Sequence, residues 1–343
     1  KSMNESVNES ERKRNHLEND VCEMKQQIEL LTKKFKRVPD QPLSNFSSSK
    51  KEIIIMGGMD NREVTKSVIF FNLACGTYAE LPPMNSPRTV ASSCVYNNHV
   101  IVAGGWVGKR RVNSIEILRI NEDPPRWTIS NTRLPTVLTG HVLKVYQEKL
   151  LVIGGVEGTG KISNKINELA LENPHTSTLL ATMPQSRAFH AAEIVDDKLF
   201  ILGGMTKNDN DGVIHDSVVV YDFITKEFNT CPSLPKHVLC MCTVTWGKKI
   251  IVVGGVDKNG GKLNDVFTYD IESGHCESLP SLRHRRSGHS TVMINDVIFV
   301  FGGRNHEQGD LNSAESFTMG SDGWKELLGM KEKRNFPTAV EKP

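Results

Sequence analysis

A chain of 343 residues with 42 basic and 40 acidic side chains has a formal net charge of +2, and its hydrophobic content of 38% is enough to build a core. That balance argues against a nucleic-acid-binding domain, which normally carries a marked basic excess, and no apolar run approaches the ~20 residues of a membrane-spanning helix. The 7 cysteines are odd in number and show no C-x-x-C spacing, so they read as reduced thiols of a cytoplasmic protein.

The opening residues, KSMNESVNES, lack the apolar stretch of a signal peptide, and a chain that starts at Lys1 reads as part of something longer. Residues 10–36 contain neither Gly nor Pro. Leu17, Val21, Met24, Ile28, Leu31 and Phe35 follow one another at alternating steps of four and three, the seam of a heptad repeat. The pattern predicts a short α-helical coiled-coil segment over residues 1–36. Lys13 opposite Glu18, and Asp20 opposite Lys25, suit parallel pairing, which would make a homodimer; a helix packed on a preceding domain fits the same spacing. Residues 37–50, with their Pro and Ser, read as a linker.

From residue 51 onward the chain repeats. An apolar run followed by Gly-Gly ends at Gly58, Gly105, Gly155, Gly204, Gly255 and Gly303, in steps of 47, 50, 49, 51 and 48 residues. A near-constant period of this size marks a repeat architecture. Before most apolar runs stands another short strand, opened by Arg with His three residues on, as in RAFHAAEIV from Arg187 and RSGHSTVMI from Arg286. A polar turn such as YNN or VDD joins the two strands. After the glycines come a third strand (NSIEIL, DSVVVY, NDVFTY) and a less regular fourth that ends near Leu-Pro or Met-Pro. Four short antiparallel strands cannot bury two apolar faces alone, but radially stacked sheets can cover both faces of each inner strand. The first repeat lacks its first strand, and the C-terminal RNFPTAVEKP supplies the pattern of one, so residues 334–341 are expected to complete it and close the ring.

This pattern over residues 51–343 resembles the kelch repeat, and the six Gly-Gly doublets carry the resemblance. It implies an all-β fold: a six-bladed kelch β-propeller closed by a C-terminal strand. The fourth-strand Trp common in that family stands only at Trp127 and Trp324, with Tyr78 and Phe228 in its place elsewhere; the third and fifth repeats show no aromatic there, and their outer strands are expected to be looser.

Strand directions place the residues after Gly-Gly and those opening the first strands on one face. There the candidate partner-binding residues are Arg88, Trp106, Arg110, Arg187, Arg286, Arg304 and Arg334. Clustered Arg forks onto carboxylate or phosphate, so an acidic or phosphorylated peptide of a target protein is the expected partner, with Trp106 as its aromatic anchor. An Arg that recurs once per repeat also fits a brace between neighbouring blades. The resemblance to propellers joined to BTB domains implies the substrate receptor of a ubiquitin-ligase adaptor; a scaffold of the actin cytoskeleton is the rival reading.

Neither a catalytic set nor a metal or cofactor site is expected. No P-loop, nucleophile elbow or H-E-x-x-H occurs, and the 5 tyrosines form no copper-ligand pattern with the histidines. His141, His190 and His289 recur at one position of the first strand and read as structural, although such a ring could hold a metal. Cys240 and Cys242, two apart on one strand side, read as small core residues. A sugar-isomerising enzyme is the minor alternative that the resemblance leaves open.

Overall fold

Each apolar run becomes the second strand of a four-stranded antiparallel sheet, and its alternate side chains enter different cores. In Glu52–Met56, Ile54 and Met56 pack with Val100 and Val102 of the following repeat. The same strand of that repeat, His99–Ala103, turns Ile101 and Ala103 the other way, against Leu150 and Val152. The pattern continues with Leu151 and Ile153 against Leu199 and Ile201, with Phe200 and Leu202 against Ile250 and Val252, and with Ile251 and Val253 against Ile298 and Val300. Both faces of the strand are therefore covered, so apolar/polar alternation has no purchase. A strand with four such buried side chains gains about 1.5–3 kcal/mol from each.

The computed structural model describes residues 51–172, 175–207 and 212–343. The expected helix, its pairing and the linker of residues 1–50 lie outside the described residues. Six four-stranded sheets form the blades of a propeller. The first combines Thr338–Glu341, Glu52–Met56, Val68–Asn72 and Thr77–Leu81, in that order from the centre outward. The inner strands of the other five are Ser92–Tyr96, Val142–Tyr146, Ala191–Val195, Cys242–Trp246 and Ser290–Ile294. Each inner strand lies beside the inner strands of its two neighbours, Thr338–Glu341 beside Ser92–Tyr96 included, so the ring is closed. The closing register pairs Ile53 with Glu341, Ile54 with Val340, Ile55 with Ala339 and Met56 with Thr338.

The doublets are where one blade docks on the next. Gly154 and Gly155 have φ of +57° and +98°, a region that side chains disfavour. The Gly155 N–H donates to the Arg187 carbonyl of the following blade at 2.8 Å, and a Cβ on Gly154 would stand 2.3 Å from that oxygen. The carbonyls of Arg88, Leu138, Val238, Arg286 and Arg334 accept from the other five doublets in the same way.

The expectation of looser outer strands in the third and fifth blades is corrected for the fifth. The fifth blade is not loose: its outer strand Cys276–Leu279 pairs without a slip, and Tyr269, on the third strand, donates to Pro232 O at 3.0 Å. That is the role Trp127 and Trp324 play toward Pro82 O and Pro280 O. In the third blade the outer strand does slip, between Ile166 and Asn167, but the second blade slips too despite Trp127, so the aromatic does not decide it.

Candidate partner-binding face

The first strands begin, and the second and fourth strands end, on one face of the ring. Around its centre run Met59, Trp106, Val156, Met205, Val256 and Arg304, each bridged to the residue that precedes the mouth of the central channel. The mouth itself is a second ring, Val90, Gly140, Phe189, Cys240, Gly288 and Phe336, all left-handed with φ of +51° to +60°. Backbone hydrogen bonds pass from blade to blade along it. Phe336 N–H donates to Gly288 O (2.7 Å), Gly288 to Cys240 (3.0 Å), Cys240 to Phe189 (2.9 Å), Phe189 to Gly140 (2.8 Å) and Gly140 to Val90 (3.3 Å).

Two phenyl rings floor this mouth. Phe189 and Phe336 come from the fourth and first blades, on opposite sides of the channel, and their centroids stand 6.2 Å apart. They rest on glycines: a Cβ at Gly140 would be 3.0 Å from the Phe189 ring, and one at Gly288 would be 2.9 Å from the Phe336 ring. Below lies a cavity of about 240 Å³ whose polar walls include Lys144, Glu193, Thr243 and Thr291. Lys144 Nζ meets Glu193 Oε2 at 2.6 Å, and Thr243 Oγ1 donates to Glu193 Oε1 at 2.8 Å.

The four strand-opening arginines are withdrawn from this face. Arg88, Arg187, Arg286 and Arg334 are at most 2% exposed. The Arg88 guanidinium donates to Gly104 O (2.9 Å), Ser114 O (3.1 Å), Ser114 Oγ (2.7 Å) and Glu116 (2.8 Å). Arg187 holds Gly203 O and Ser217, Arg286 holds Gly302 O and Ser313, and Arg334 holds Gly57 O and Ser67. Each carbonyl binds the preceding blade while the side chain ties down the second-to-third-strand corner of its own. The expectation that these four open onto a partner is thus corrected: their terminal N–H groups are spent inside the blade, on a carbonyl and a serine hydroxyl in each case, which a neutral side chain would leave unpaired.

The remaining candidates are reachable. Trp106 is half-buried in a small hairpin, Trp106–Val107 with Arg110–Arg111. Arg111 lies over the indole at 4.7 Å and donates to Glu157 O at 3.0 Å, propping the hairpin on the third blade. Lys109 and Arg110, at the turn of the hairpin, are exposed. Arg304 is exposed and meets the buried Asp310 at 3.2 Å.

Several structural partners escaped the sequence reading. The carboxylates of Glu116 and Glu315 are fully buried, against Arg88 and Arg286. A signal existed: Ser67, Ser114, Ser217 and Ser313 open the third strands of the blades that carry the Arg, whereas Lys165 and Asp265 stand there in the blades with Leu138 and Val238. The three histidines do not converge on a centre. His190 sits between Gly204 of its own blade and Gly154 of the preceding one, and His141 and His289 sit likewise. Burial lowers them to about 4 for His141 and about 3 for His190 and His289. Among the described residues, no group of three or more His, Cys, Asp or Glu is placed to hold a metal. Cys240 and Cys242 do not share a strand side, because the left-handed Cys240 precedes the strand. Burial pushes both thiols to about 12, which leaves them protonated at neutral pH.

Fold and repeat together define a six-bladed kelch propeller, a protein-interaction module. More narrowly, the chain belongs to the attractin/LZTR1 β-propeller family, whose model matches residues 45–257; the kelch motif matches residues 238–283 and 285–330. It is 27% identical to β-scruin of Limulus polyphemus, over 66% of this chain and 26% of that one. Against mouse kelch-like protein 40 it is 23% identical, over 65% of this chain and 37% of the relative, and against mouse kelch-like protein 35 it is 25% identical, over 70% and 39%. The chain therefore spans between a quarter and two-fifths of the length of these relatives. The solved structure of YjhT superposes with a TM-score of 0.63 at 15% identity, over 75% of this chain and 88% of that one, a likeness of fold. No helix among the described residues is long and apolar enough to cross a membrane.

Proposed function

We propose that the loop face receives an acidic or phosphorylated segment of a target protein, and that the propeller is the substrate-recognition part of a ubiquitin-ligase adaptor. The observation that carries the first half is Trp106. It is the one aromatic residue in a ring position otherwise filled by Met, Val or Arg, its indole is held in place by Arg111, and the adjoining turn presents Lys109 and Arg110 to solvent. A fixed aromatic beside free cations suits a peptide with an apolar contact and acidic neighbours. Arg304 extends the cationic rim to the sixth blade. The similarity to kelch-like proteins supports the adaptor role.

The experiment is binding of the full chain to matched peptides that carry glutamate, phosphoserine or serine at one position. Affinity should rank phosphoserine and glutamate above serine, and W106A and R110E should each lower it about tenfold while leaving the melting temperature unchanged. Equal affinity for all three peptides, or indifference to both substitutions, defeats the reading. For the adaptor role, the bound target should accumulate in cells that express W106A. If the full chain instead pellets with actin filaments and W106A leaves target abundance alone, the scaffold reading replaces it.

A further inference from the structure

The phenylalanine pair is costly where it stands. Of the six equivalent positions, those of the third and sixth blades are Gly140 and Gly288, the residues that a left-handed φ favours, whereas Val90, Phe189, Cys240 and Phe336 hold φ of +55°, +54°, +53° and +51°, and of these four only the phenylalanines bring aromatic rings to the mouth. Side chains kept in this region persist only when the surroundings enforce them, and they gather at functional sites. Packing does not require these two: both are half-buried, and each lies over the glycine of a neighbouring blade instead of in an inter-blade core. Their rings stand 6.2 Å apart and line the mouth end of the cavity that Lys144, Glu193, Thr243 and Thr291 line deeper in.

We propose that Phe189 and Phe336 form an anchor subsite for one large apolar side chain of the partner segment, with the acidic neighbours of that side chain directed to Arg110 and Arg304. The proposal rests on the loop-face reading and adds the partner's central chemistry to it. The occupant follows from the surroundings. The floor offers aromatic faces and no free hydrogen-bonding group on its rings, so it discriminates for an apolar group. The rim adds Trp106 and the exposed cations Lys109, Arg110 and Arg304, so the flanking residues are acidic. Connection between floor and rim is direct: Trp106 N–H donates to Thr89 O, and Thr89 Oγ1 donates to Asn335 O, next to Phe336.

The test selects random peptides displayed on phage against the full chain and measures the enriched peptides on variants. F189G/F336G copies the residue of the third and sixth blades and should melt no lower than the parent. F189N/F336N, which tolerates a left-handed backbone but makes the floor polar, guards against a folding artefact. The expected result is a shared large apolar position flanked by Asp or Glu, with affinity about tenfold lower on both double variants and on W106A. Peptides that depend on Trp106 or Arg110 but bind both double variants normally overturn the anchor and leave the loop-face reading standing. Failure to enrich any peptide that depends on either set overturns both.

Discussion

Replacing Arg88 by Met should destabilise the propeller more than the same change at Arg187, although the two arginines occupy equivalent positions. The stems of both keep their packing in the variant, so the difference lies in the guanidinium. At Arg88 it neutralises Glu116, and both side chains of that pair are 1% exposed. Glu116 also accepts the amides of Asn85 and Ser86, at 2.7 and 3.1 Å, so it is fixed in place and stays buried once Arg88 is gone. Removing one member of such a pair costs about 3–5 kcal/mol. Arg187 has no carboxylate at ion-pair distance among the described residues; Gln185 takes that place at 3.3 Å. Burial already lowers Arg187 to about 10, so deleting its charge relieves part of what deletion of its hydrogen bonds to Gly203 O and Ser217 costs. The net for R187M is about 1–2 kcal/mol. At roughly 2–4 °C per kcal/mol for a domain of this size, R88M should lower the melting temperature by about 6–20 °C and R187M by less than about 8 °C. Thermal and urea melts of the two variants and of R88M/E116Q provide the assay. The double variant should recover a good part of the R88M loss, because the stranded charge is gone. Equal losses for R88M and R187M, or no recovery in R88M/E116Q, refute the argument that an isolated buried carboxylate sets the difference.

Acid should unfold the propeller early. His141, His190 and His289 are held neutral with depressed pKa values in the fold and regain the ordinary value of about 6.5 on unfolding, so the unfolded chain binds more protons between pH 6.5 and 4. The stability they preserve is complete above pH 6.5 and falls below it, by about 2 kcal/mol per histidine at pH 5; melts at pH 7.5 and 5 should show this, and H190M, which copies Met241 of the fifth blade, should shrink the drop by a third. Removing residues 334–343 takes away the closing strand and the Arg334 brace, exposes the edge of Glu52–Met56, and should lower the melting temperature by at least about 10 °C; an unchanged melt sinks the closure. Gly154→Ala drives a methyl to 2.3 Å from Arg187 O at a left-handed φ and should cost about 3 kcal/mol or more, whereas the equivalent change at the open Gly160 should cost little more than its backbone strain of about 1 kcal/mol.

The ring was legible because repetition writes it six times. Ile53–Met56 and its copies are apolar at every position, the doublets follow at one period, and the missing first strand has its match from Arg334 onward. Periodicity says where a residue sits but not which way its side chain turns. Arg187 and Trp106 share one face by strand direction, yet the backbone turns one guanidinium down onto Gly203 O and leaves the indole at the rim. Arg88, Arg187 and Arg286 lie 26, 30 and 27 residues from the Ser that receives them, and Arg334 lies 267 from Ser67, so the pair is visible only once the blade has folded. The Phe floor was harder still to see. Phe189 and Phe336 are separated by three repeats, and only the closing of the circle brings their rings to within 6.2 Å.

That placement changes how substitutions on this face should be read. The braces end on Gly57, Gly104, Gly203 and Gly302, the corners from which the second-to-third-strand loops spring, so loss of an arginine would shift the loops that carry Trp106, Met205 or Arg304 without that arginine touching a partner. A binding defect in R187M alone would therefore not make Arg187 a contact. Contact and brace separate when affinity and melting are measured on the same variants. A residue proposed as a contact, such as the exposed Arg110, whose side chain has no ion-pair partner among the described residues, should lower affinity at constant melting temperature when replaced, and a brace should lower both. The recurrence of Arg in four blades follows from the need to hold four corners, whereas Trp106 recurs at none of the five equivalent positions, and such a break in the repeat is what the proposed recognition needs.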